Sequence, residues 1–132
     1  MMAADHIDNY CERLDIGLWA EPLNALTNIA FLIAALMLFR HYRAHKMHDM
    51  QAAILIGLIA IIGSGSFLFH TIADHTSMLA DIIPITVFVF MYLWVALRRL
   101  VALNRLYTAF SLVVLLVAAI AAENAPAAYS FN

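Results

Sequence analysis

The sequence predicts an all-α integral membrane protein, a bundle of about four transmembrane helices, from its composition, its charge spacing and four uncharged runs. Hydrophobic residues make up 65% of the 132 residues and charged residues 12%, against about 45–50% and 25% in ordinary globular domains. The mean hydropathy is +0.88. The uncharged runs are Leu23 to Phe39, Ala52 to Phe69, Ile82 to Leu97 and Leu106 to Ala122. Each approaches the roughly 20 residues that cross a hydrocarbon core of about 30 Å. We therefore expect one membrane domain over 1–132, with an acidic segment at 1–21 and helices near 22–39, 52–70, 79–97 and 106–122.

The ends of these helices carry their own signals. Pro22 suits the first position of a helix, where a missing N–H leaves no bond unmade. Pro84 is expected within about the first turn of the third helix, where it disturbs little. Trp19, Tyr42, Trp94 and Tyr107 lie near expected interfaces, the usual level for amphipathic rings. The N-terminus has no basic region, and its acidic stretch Asp5, Asp8, Glu12, Asp15 and Glu21 precedes the first apolar run, unlike a secretory signal. The single cysteine, Cys11, allows no disulfide within the chain and is read as a packed thiol. A net charge of −2 argues against nucleic acid as a partner.

Charge asymmetry gives the expected topology. Six of seven basic residues fall in two places, Arg40, Arg43 and Lys46 after the first run and Arg98, Arg99 and Arg105 after the third. By the positive-inside rule both loops are cytoplasmic, so the N-terminus, the Thr71–Met78 loop and the C-terminal tail are expected outside. His41 and His45 have a spacing known from metal sites, but they stand among cations. With His48 they read as a basic juxtamembrane segment touching lipid headgroups.

Polar residues at membrane depth are the informative ones. Ser66 and His70 are four apart, on one helix face, and Asp81 re-enters near the level of His70. Ionisable groups at such depth are costly and point first to function. An imidazole beside a carboxylate can bind a metal, or the carboxylate can act as orienter or acid–base group. The alternative is that both are interfacial and wet. Glu12, Glu21, Asp8, Asp15 and Tyr10, with Asn24, form an oxygen-rich cluster of the kind that suits calcium; the alternative is a solvated acidic face.

These residues resemble a known family. Tyr10-Cys11-Glu12-Arg13, Ala20-Glu21-Pro22-Leu23-Asn24-Ala25-Leu26-Thr27-Asn28, Gly63-x-Gly65-Ser66-x-x-Phe69-His70 and Asp81-x-x-Pro84 are similar to the alkaline ceramidases, above all their bacterial relatives. These share a superfamily with adiponectin-receptor-like proteins. The resemblance implies a seven-helix membrane amidase that splits ceramide, or a related N-acyl lipid, into a base and a fatty acid. It implies His70 as a zinc ligand, Ser66 as stabiliser of the oxyanion and Asp81 as the group orienting, or exchanging protons with, the reacting water. Glu12 and Glu21, with Asp8, are implied in a calcium site. The family takes two further zinc histidines from a His-x-x-x-His motif in its last helix, and no histidine follows His75 here. The chain is therefore expected to represent the N-terminal part of that fold and not to hydrolyse ceramide alone. The alternative is a non-catalytic, receptor-like or partner-requiring membrane protein of the same superfamily.

Overall fold

The computed structural model describes residues 7, 11–13 and 17–124. All its regular elements are helices: α1 (Pro22–Thr27), α2 (Ile29–Ala44), α3 (Met50–Ile72), α4 (His75–Arg99) and α5 (Arg105–Glu123). Four spans are long and apolar enough to cross a membrane: Pro22–Ala44, Met50–Ile72, His75–Arg99 and Arg105–Ala122. Their large side chains stay widely exposed, as at Leu23, Met37, Leu106 and Phe110. An apolar side chain facing water on that scale is unfavourable; facing lipid it is not.

The first span is one helix interrupted at Asn28. The buried Asn28 side chain donates from Nδ2 to the Asn24 carbonyl at 2.8 Å, competing with the backbone ladder at that point. α2 then runs on to Ala44, five residues past the expected end at 39. Arg40, His41 and Arg43 therefore sit on the helix itself. Its end follows the pattern in which a left-handed residue closes the last turn. Lys46 has φ 47°, and the Met47 N–H reaches back to the Tyr42 carbonyl at 3.1 Å. Asp49 starts α3 by accepting the Gln51 and Ala52 amides on Oδ1.

The expected loop over Thr71–Met78 contracts to a two-residue turn. Ala73, with φ 53°, closes α3 through its N–H to the Phe69 carbonyl at 2.9 Å. Asp74 opens α4 by a reciprocal cap: its Oδ1 accepts the Ser77 N–H at 2.7 Å, and its own N–H donates to Ser77 Oγ at 3.0 Å. These bonds from Ser77 also hold the Asp74 carboxyl below its ordinary range. The cap starts the third span at His75, not near 79, because Asp74-x-x-Ser77 satisfies the first helical amides. Pro84 consequently lies in the interior of α4, not in its first turn.

Two glycines set the packing within the first unit, Met1–Val89. A β-carbon at Gly63 would stand 2.9 Å from Phe31 Cβ and 3.2 Å from the Asn28 carbonyl oxygen, so α3 lies tight against the break in the first span. A β-carbon at Gly65 would overlap the carbonyl oxygen of Ala80. Ala80 is four residues before Pro84, and a proline has no N–H to give to that carbonyl. The close approach of α3 thus falls where the α4 ladder is already open. In the second unit, Phe90–Asn132, Arg98 donates from Nη1 to the Leu103 carbonyl across the turn. Asn104 caps α5 by accepting the Tyr107 N–H at 2.9 Å.

The glycines separate cleanly by substitution. Gly65→Ala has to push Ala80 aside and should destabilise by about 1–3 kcal/mol, as overpacking does. Gly57→Ala meets nothing within 4 Å and should hold or gain up to about 1 kcal/mol from helix propensity. Thermal unfolding of both variants in detergent is the measurement, and equal effects would contradict the packing described.

Candidate functional site

The site begins with a carboxylate. Glu21 stands just before α1 and is 2% exposed. Its Oε1 accepts from Arg13 Nε at 2.6 Å, and its Oε2 lies 2.6 Å from His70 Nδ1. Asn24 Nδ2 donates to the same Oε2 at 3.3 Å. Burial, the strongest single influence, disfavours the charged carboxylate; the bonds from His70, Arg13 and Asn24 together outweigh it and keep the carboxyl below its ordinary value. An ionised carboxylate only accepts hydrogen bonds. His70 Nδ1 is therefore the donor of this contact. A carboxylate that fixes an imidazole in this way is the usual support of a histidine that ligates a metal or acts as a base.

Arg13 ties the N-terminal segment to α3. Besides Glu21, its Nη2 donates to the His70 carbonyl at 3.3 Å. Glu12 turns the other way: its two oxygens accept the Leu23 and Asn24 amides at 2.6 and 3.1 Å. Those amides belong to the first turn of α1 and have no partner within the helix. The Ile7 N–H donates to the Ala73 carbonyl at 2.9 Å, holding the segment at the α3–α4 turn.

Ser66, His70 and Asp81 are all buried, at 8%, 7% and 7% exposure. His70 and Asp81 are thus shielded from water in this structure. Ser66 and His70 lie one turn apart on α3. Asp81 follows the carbonyl that Gly65 abuts, and its own amide N would be 3.3 Å from a β-carbon at Gly65. Asp81 Oδ1 and Arg13 Nη1 are buried without a hydrogen-bond partner among the described residues. Such orphaned polar atoms are rare and call for a ligand, an ion or a role in chemistry.

No local signal in the sequence announces the pairing of Arg13 with Glu21, since the two stand eight residues apart. Cys11 is exposed, not packed. His75 is exposed as well. Asp8, Tyr10 and Asp15 lie outside the described residues. His41 and His45 stack on one another, rings 4.0 Å apart, at the far end of the α2–α3 hairpin. From Met50 to His70 α3 rises about 30 Å, so they stay away from His70. Among the described residues no three of His, Cys, Asp and Glu converge to hold a metal. Of the carboxylates implied for calcium, Glu12 is engaged by backbone amides and Glu21 by Arg13, His70 and Asn24, while Asp8 lies outside the described residues.

The buried pair makes a prediction. Arg13→Met leaves Glu21 in place without its guanidinium, and removing one partner of a buried ion pair costs about 3–5 kcal/mol. A fall in thermal stability of that size in detergent is expected, and a change under about 1 kcal/mol, as at exposed pairs, would contradict the burial.

Comparison with curated proteins and with solved structures finds no match. A family model described as Ceramidase matches residues 8–131. That range takes in the N-terminal motif, both glycines, Ser66, His70, Asp81 and Pro84, so the buried polar set described here lies wholly within the matched segment. A membrane hydrolase acting on a lipid is the functional class this brings with it. The chain belongs to the ceramidase family.

Proposed function

We propose that the protein takes part in hydrolysing the amide bond of ceramide or of a related N-acyl lipid, with Ser66, His70 and Asp81 at the reacting group. The observation that supports this best is the 2.6 Å contact of His70 Nδ1 with the buried Glu21, which holds the ring in one orientation. In this reading the Asp81 carboxylate removes a proton from the attacking water and returns it to the departing amine, a general acid–base role. The Ser66 hydroxyl donates to the oxygen of the tetrahedral intermediate. A lipid substrate reaches such a site sideways from the bilayer, its polar head at the level of Glu21.

Zinc at His70 belongs to the same reading by resemblance, and it needs ligands beyond the described residues. That shortfall favours a second reading, in which the chain works only with a partner that completes the site.

Ser66→Ala should lower turnover by about 10²–10³-fold. His70→Ala and Asp81→Asn should each lower it by about 10²–10⁴-fold, with fatty-acid release from ceramide as the readout and thermal unfolding as the check on folding. Unchanged turnover in His70→Ala would sink the assignment. Zinc in the same preparations separates the two readings. About one zinc per chain, lost in His70→Ala, supports the enzyme, and no zinc with no turnover supports the partner-requiring form.

We further propose that the N-terminus, the α3–α4 turn and the C-terminal tail face the non-cytoplasmic side. The basic residues between spans support this. Cys11 is exposed and is the only cysteine, so a membrane-impermeant maleimide should label it in intact cells. Labelling only after permeabilisation would reverse the topology.

A further inference from the structure

The α2–α3 hairpin has a second end, about 25 Å along α3 from His70 when measured from Ala53. There a groove of about 440 Å³ runs between the two helices, lined by Leu32, Leu36, Phe39, Tyr42, Ile56 and Gly57 among others. Its volume lies within the usual range of ligand sites, about 300–1,000 Å³. Gly57 leaves it open, for a β-carbon there meets nothing within 4 Å. From Leu32 to Tyr42 the helix rises about 15 Å, half of a hydrocarbon core of about 30 Å. The groove therefore has the depth of one leaflet.

At Tyr42 it adjoins a second cavity, of about 420 Å³, lined by Tyr42, Arg43, Lys46, Met47 and His48. Arg43, Lys46 and His48 are exposed. The turn that carries them is ordered: Tyr42 Oη donates to the Asp49 carbonyl at 3.4 Å, and the Met47 N–H to the Tyr42 carbonyl at 3.1 Å. Asp49, the one acidic residue in the sequence from Arg40 to Ile72, accepts the Gln51 and Ala52 amides on Oδ1. Lys46 occupies the left-handed position that glycine normally fills at a helix end.

We propose that this hairpin end is a binding site for one anionic phospholipid, its acyl chain in the α2–α3 groove and its phosphate between Arg43 and Lys46. An apolar slot one leaflet deep that ends in two cations matches such a lipid in length and in charge. A zwitterionic lipid offers the same chain but no net charge to the cations. The site lies at the opposite end of the hairpin from Ser66 and His70, so the lipid it holds is a resident of the fold and not the substrate of the proposed hydrolysis.

The test is lipid binding to the purified chain in neutral detergent, counted by native mass spectrometry. Phosphatidylglycerol and phosphatidylcholine of identical acyl chains are the two probes. One phosphatidylglycerol per chain is expected, preferred over phosphatidylcholine by at least about tenfold, since each basic residue contributes about 1 kcal/mol at an anionic surface. Glycerophosphate, a headgroup without a chain, should not compete. Lys46→Gly suits the backbone and should keep thermal stability while weakening phosphatidylglycerol about fivefold. Gly57→Leu fills the groove without changing charge and should weaken both lipids. His70→Ala should bind phosphatidylglycerol like the parent, whatever its turnover. Equal affinity for the two lipids, competition by glycerophosphate, or full binding by Gly57→Leu would overturn the proposal, the last because it leaves only surface attraction.

Discussion

A carboxylate removed from water at the membrane boundary needs neutralisation on every side, and Glu21 obtains it from three parts of the chain. Arg13 comes from the segment before α1, Asn24 from α1 and His70 from the end of α3. Since an isolated buried charge is worth several kcal/mol of penalty, the N-terminal segment, the first span and the second span are held together by the need to satisfy one residue. The same bonds set the posture of the imidazole: Glu21 holds its Nδ1, and Arg13 holds the backbone beneath it through the His70 carbonyl.

The second constraint is the absence of side chains at Gly63 and Gly65. Membrane helices lack a hydrophobic drive toward one another and depend on close backbone approach. Each glycine faces a carbonyl oxygen at an irregularity of its neighbour, Asn28 at the break in the first span and Ala80 where Pro84 opens α4. The motifs Gly63-x-Gly65-Ser66 and Asp81-x-x-Pro84 are thus one device read from two helices. Pro84 frees the carbonyl, Gly65 lets α3 reach it, and Ser66 and Asp81 follow directly in sequence on either side.

Much of this was legible from residue types. Charge spacing and apolar length mark out the four spans, because a bilayer imposes both on any chain that crosses it. Ser66, His70 and Asp81 stood out because polar groups at depth are expensive, and all three are buried. What escaped was local or long-range. The capping of α4 by Asp74 and Ser77 moved its start by a turn and put Pro84 in the interior, and the signal, Asp-x-x-Ser, was present but unweighed. The use of Lys46 and Ala73 as left-handed residues had no glycine to announce it. The pairing of Arg13 with Glu21 spans eight residues, a separation that no helical or strand period singles out.

The division of labour along α3 follows from the same physics. At one end the helix finishes among the buried side chains of Glu21, Arg13 and Asp81, with Asp81 Oδ1 and Arg13 Nη1 unpartnered among the described residues. At the other it begins at Asp49 beneath exposed cations and exposed, neighbouring imidazoles. Histidines occur at both ends, and only position separates their meaning. His41 and His45 have the spacing of metal ligands but no buried carboxylate to orient them; His45 Nδ1 meets the His41 carbonyl instead, at 2.9 Å. His70 lacks the spacing and has the carboxylate. An imidazole becomes chemically useful when burial and a fixed partner restrict its protonation and its aim, and in this chain Glu21 provides both for His70 alone among the described histidines.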